Sequence, residues 1–212
     1  MEITMNRLMT LLFGIILVMG LVSCSKTNQN DRLAGQTLGG SNTNPGSEGQ
    51  GSPDSGYTQA TEKLKALGFA IPSSKMKAPN FTATDLEGNK VSLKSQRGKI
   101  VFLNYWATWC MPCVREMPSM EKLNNKLKGL SFAMMVVSNE KASRVKSFIE
   151  DKSLTLPVFI GSAALKYGVQ GIPTTFIIGK KGELLGKKVG GAEWQETQYV
   201  ELFKFLANSK IE

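Results

Sequence analysis

Residues 99–107, KIVFLNYWA, form a nearly unbroken apolar run, and nothing else in the chain limits the fold as strongly. Its length and its β-branched and aromatic content predict a strand buried on both faces, as in the interior of a covered sheet. The runs LSFAMMVVS (130–138), TLPVFIG (155–161) and GIPTTFIIG (171–179) read as companion strands. From Cys113 to Leu127 apolar residues recur at helical intervals (Met117, Met120, Leu123, Leu127), and Gly129 ends the run. Further helices are predicted at about 142–151 and 193–207, with a short helical stretch at 162–167. NFTATDLEGNKVSL (80–93) reads as a β-hairpin, and LLGKKVG (184–190) returns antiparallel after the turn KKGE. The order predicts an α/β fold, a central mixed β-sheet flanked by helices.

The chain before Ser73 has a different character. Leu8 to Val22 is apolar throughout apart from Thr10 and two glycines, the length of a signal-peptide core and short for a membrane-spanning helix. It ends in Leu21-Val22-Ser23-Cys24, which resembles a bacterial lipobox, in which the cysteine is lipidated and becomes the first mature residue. The competing reading is a plain membrane anchor followed by an incidental cysteine. Glu2 sits awkwardly in a region that should be positive, so a true start at Met5 is the simpler reading. Residues 25–56 are rich in Gly, Ser, Asn and Gln and too poor in apolar side chains to offset ordering entropy. They read as a flexible tether with a root-mean-square reach of roughly 30 Å. A short helix is expected at 58–69, with Ala60, Leu64 and Leu67 on one face and Gly68 as its stop. The expected division is a signal peptide over 1–23, a lipid-attached tether with a short helix over 24–72, and one folded domain over 73–212.

The formal charge is +9, from 26 Lys and Arg against 17 Asp and Glu. Five of each sign fall before Ser73 and cancel, so the excess lies wholly in the C-terminal domain. The lysines are scattered, with doublets only at Lys180-Lys181 and Lys187-Lys188, and no aromatic-laced basic cluster argues for nucleic acid. A solvated surface and an attraction to anionic lipid head groups or an acidic partner both remain open.

With Cys24 assigned to lipidation, Cys110 and Cys113 remain, and there is no histidine. A disulfide closing so small a loop stabilises by only about 2 kcal/mol, little use to a domain with a real core. Structural zinc needs four Cys or His ligands, and copper sites of the Cys-plus-His kind fail for lack of histidine, so no metal is expected. A redox dithiol fits better. Cys110 stands where a buried strand meets a helix, whose free N–H groups favour a thiolate. Cys113 lies about one turn on, within reach. Pro112 is tolerated in a first turn because those N–H groups have no partner inside the helix. Arg115 would assist if it faced inward.

WATWCMPC resembles the thioredoxin active site, where Trp precedes Cys-x-Pro-Cys. Pro118, eight residues after Cys110, matches that family's active-site helix proline, and GIPTT, with Pro173, resembles its cis-proline loop. The closer resemblance is to the TlpA/ResA-like branch of membrane-tethered, extracytoplasmic thiol–disulfide oxidoreductases. APNFTATDLEGNKVSL is similar to that branch's N-terminal hairpin. The stretch from Val145 to Leu184 is similar to its central αβ insertion and the segment after the insertion. The resemblance spans about residues 78–207 and implies a thioredoxin-like fold.

It further implies that Cys110 attacks a substrate disulfide and Cys113 resolves the mixed disulfide, with no cofactor. Trp109, Met111, Pro112, Ile172, Pro173 and Thr174 would form the docking surface. Thioredoxin's buried aspartate is replaced here by Asn104, which cannot titrate. Glu116 falls where the branch is thought to place a substitute proton carrier, and is equally readable as an ordinary helix-face carboxylate. The implied partners are protein thiols and disulfides, apocytochrome c among them, and a membrane electron donor of the DsbD/CcdA type, all outside the cytoplasm at the bacterial cell envelope. Two alternatives stand beside this reading. A peroxiredoxin-like peroxidase would want Pro and Thr where this chain has Leu103 and Ala107, and a non-catalytic binding module would not need the cysteines.

Overall fold

The computed structural model describes residues 53–209; Cys24, the apolar run at 8–22 and the two candidate starts lie outside them. Among the described residues, four α-helices and seven strands run in the order α1 (Pro53–Ala66), β1 (Thr82–Asp85), β2 (Lys90–Ser92), β3 (Ile100–Tyr105), α2 (Met111–Lys126), β4 (Phe132–Ser138), α3 (Ala142–Asp151), β5 (Val158–Ile160), β6 (Thr174–Ile178), β7 (Leu184–Val189) and α4 (Thr197–Asn208). The strands form one mixed sheet in the order β2-β1-β5-β4-β3-β6-β7. β3 runs parallel to β4 and antiparallel to β6, and β4 runs parallel to β5. Every residue of β3 is buried, as its apolar run requires.

The expected hairpin is β1–β2, and its turn is chemically explicit. Asp85 Oδ1 accepts the backbone N–H groups of Glu87 and Asn89, and Gly88 takes a left-handed φ of 95°. The hairpin joins the sheet through β1, antiparallel to β5. The unit α3–β5 is the central insertion, carrying the chain across to a strand parallel to β4.

The helices flank the sheet unevenly. Buried residues of all four α-helices join one apolar cluster, on the face to which β3 contributes Ile100 and Phe102. The opposite face, with Val101, Leu103 and Tyr105, is covered by Phe81, by Leu93 of the 3-10 turn Leu93–Gln96 and by the 3-10 turn Ala163–Tyr167. A short helical cover suffices there because the hairpin's own apolar residues close the rest.

The folded unit begins earlier than the boundary expected at Ser73. α1 starts at Pro53, where a proline is tolerated in a first turn. Ala60 and Leu64 are fully buried in the main cluster against β7 and α4. α1 is therefore part of the domain and not of the tether. The lysine doublets also have structural uses. Lys188 Nζ donates to the carbonyl of Leu67 just past α1, and Lys180 Nζ to those of Ala207 and Ser209 at the end of α4. Both place a cation on the electronegative end of a helix.

Candidate active site

The strand–helix junction after β3 places the cysteines. Cys110 is the N-cap of α2, and the backbone N–H of Cys113 donates to its sulfur at 3.3 Å. The two cysteines form a disulfide with Cα atoms 5.2 Å apart. The pair is unequal: Cys110 is 5% exposed and Cys113 fully buried. Of the two residues only Cys110 keeps any exposure, and a helix N-terminus of the kind that bonds its sulfur favours a thiolate.

Two loops close over this point. The Ile172–Pro173 peptide bond is cis, and the Ile172 carbonyl lies 3.6 Å from Cys110 Sγ. Thr108, two residues before Cys110, donates its N–H and its hydroxyl to the two carboxylate oxygens of Glu140, at 2.6 and 2.9 Å. Glu140 thus fastens the segment leading into the cysteines to the end of β4.

The predicted docking residues divide. Trp109 and Met111 are 69% and 61% exposed, Pro112 is exposed, and Ile172 is half-buried. Trp109 and Ile172 border an apolar groove of about 350 Å³ that runs past Val137, Leu165 and Val169. Pro173 and Thr174 are buried, against expectation. The Thr174 hydroxyl donates to the Gly171 carbonyl, so this side chain shapes the loop and is withdrawn from the surface. Arg115 does not face inward; it is exposed and borders a cleft beside Glu116.

Glu116, one turn after Cys113 on α2, is 3% exposed. Oε1 accepts from Asn104 Nδ2 at 2.9 Å, and Oε2 accepts from Trp194 Nε1 at 2.9 Å and the Ala192 N–H at 3.2 Å. Burial pushes its pKa up from 4.5 to about 7, against the pull of these donors. The carboxyl therefore changes protonation near neutrality. Ser119 holds the arrangement, its hydroxyl bonding the Glu116 and Ala192 carbonyls and accepting the backbone N–H of Trp194 at 3.1 Å. Sequence reasoning noticed Asn104 and Glu116 but missed Trp194, Ser119 and Glu140. A lone tryptophan after two glycines, ahead of the last helix, was the available signal for Trp194.

A family model described as the AhpC/TSA family matches residues 75–186. The chain is 40% identical over 131 residues to the thiol-disulfide oxidoreductase ResA of Bacillus cereus (strain ZK / E33L), covering 58% of this chain and 76% of that one. The chain belongs to the thioredoxin-like AhpC/TSA family, among thiol–disulfide oxidoreductases of the ResA type. It is also 41% identical over 118 residues to the thioredoxin-like protein YneN of Bacillus subtilis (strain 168), covering 53% of this chain and 69% of that one. A thioredoxin-family thiol:disulfide interchange protein from Chlorobium tepidum TLS superposes with a TM-score of 0.56 at 27% identity, over 65% of this chain and 99% of that one. Enzymes of this type work through a cysteine pair, and this chain holds the disulfide Cys110–Cys113. Among the described residues, no group of His, Cys, Asp or Glu side chains is placed to hold a metal ion.

Proposed function

We propose that this oxidoreductase acts outside the cytoplasm as a reductase of protein disulfides, tethered to the envelope through lipidated Cys24. The unequal burial of the two sulfurs carries the assignment of roles. Cys110 thiolate attacks one sulfur of a substrate disulfide, and the other leaves as a thiolate and takes a proton. Cys113 then gives its proton to Glu116 and attacks Cys110, releasing the second substrate thiol. Two electrons pass to the substrate, and Cys110–Cys113 is left oxidised. A membrane dithiol carrier of the DsbD/CcdA type restores the dithiol, since an oxidising compartment does not. Misoxidised proteins and apocytochrome c are the substrate class.

Trp109, Met111, Pro112 and Ile172 form the docking surface, with the Ile172 backbone beside the reacting sulfur. The lipobox-like LVSC supports the anchor. No helix among the described residues is long and apolar enough to cross a membrane. A peroxidase reading has no support at the site: Leu103 and Ala107, buried and apolar, stand where a proline and a hydroxyl would be wanted.

Equilibration of the Cys110–Cys113 pair with defined thiol couples tests the direction. A potential near the reducing end, around that of thioredoxin at about −270 mV, is expected. A value near about −120 mV, that of a strong oxidant, would overturn the reductase assignment.

A further inference from the structure

Every partner of the Glu116 carboxyl is a donor: the amide of Asn104, the backbone N–H of Ala192 and the indole N–H of Trp194. The three are not equivalent. Asn104 Nδ2 also meets Thr175 Oγ1 at 3.0 Å, while Asn104 Oδ1 is buried without a partner. Turning that amide over presents Oδ1 as an acceptor, and the Thr175 hydroxyl serves either orientation. Asn104 therefore suits a protonated Glu116 as well as an ionised one. An indole N–H only donates. It is also held in place: Trp194 is fully buried, lies edge-on to Phe102 at 4.8 Å and packs against Tyr199 and Phe69.

We propose that Trp194 is the positioning residue of this site, fixing Glu116 Oε2 and setting how tightly Glu116 holds its proton. The assignment rests on the reading of Glu116 as proton carrier for Cys113, and adds the group that tunes it. Burial favours the neutral acid, and the indole is the side-chain donor that opposes this in every orientation of Asn104. The other charged groups at the carboxyl are Glu193, which raises its proton affinity, and exposed Arg115 across the cleft. Among the side chains that bond Glu116, Asn104 and Trp194 are both uncharged, so the indole acts on a carboxyl without a salt bridge.

The experiment tracks Glu116 by carbon NMR across pH in the oxidised protein, wild type and Trp194→Phe, together with the pH profile of insulin reduction. The phenyl ring keeps much of the packing and deletes the donor. The expected result is a rise in the Glu116 midpoint of about one pH unit, a tenfold tightening of proton binding, with the activity profile moving the same way. An unchanged midpoint in the folded variant overturns the proposal. If Trp194→Phe does not fold, the wild-type indole resonances decide. The chain has three tryptophans. The signal of Trp194 should titrate with the Glu116 midpoint, while that of Trp106, whose buried indole N–H has no partner, should not. A Trp194 signal flat through that range equally overturns the proposal. Glu116→Gln separates the two claims. An activity profile identical to wild type removes the proton-carrier reading, whereas the NMR midpoints still judge Trp194.

Discussion

In the proposed mechanism, Glu116 is the residue on which the chemistry of this site turns. With the pair reduced, Glu116→Gln is expected to slow the resolving step by about 10²- to 10⁴-fold, in the range of a lost general base. Stopped-flow release of a model mixed disulfide from Cys110 checks this, and an unchanged rate would remove Glu116 from the mechanism. The same carboxyl has a stability signature. Its folded pKa, about 7, lies above the unfolded value of 4.5. The folded form then binds the extra proton, so the contribution of this carboxyl to stability is fully present below pH 4.5 and is lost as pH rises towards 7. The full effect is on the order of 3 kcal/mol. Thermal melts should therefore show wild type losing ground to Glu116→Gln as pH rises from 4.5 to about 7; parallel curves across that window would contradict the assignment.

At the scale of elements, α1 separates the sequence reading from the structure. Its apolar positions, Ala60 and Leu64, were legible, but the Gly- and Ser-rich stretch before it made it look like an appendage. What sequence could not supply was the partner face, built from β7 and α4 far along the chain. Leu64→Ala is expected to cost about 2–5 kcal/mol in chemical denaturation, the cost of an unrefilled core cavity. A change below about 1 kcal/mol would return α1 to the tether. β3 was legible from its unbroken apolar run and α2 from apolar residues at helical intervals. Thr174 was misplaced because a motif fixes where a loop lies and not which of its side chains turn inward; here the hydroxyl bonds back to Gly171. Trp194 and Glu140 were invisible for a related reason: their roles come from hydrogen bonds that span 78 and 32 positions of sequence.

At the scale of the folded domain, the Cys110–Cys113 pair lies where β3 gives way to α2, with an apolar groove and exposed Trp109 and Met111 around it. Cys113→Ser should leave Cys110 able to attack but unable to be released, so stable mixed disulfides with insulin are expected on non-reducing gels. The central claim, that Cys110 is the attacking sulfur of a thiol–disulfide oxidoreductase, is tested most directly by dithiothreitol-driven insulin reduction. The chain from Ser25 onward should accelerate precipitation of the insulin B chain well above dithiothreitol alone, and Cys110→Ser should return the rate to that background. Undiminished catalysis by Cys110→Ser would contradict the account.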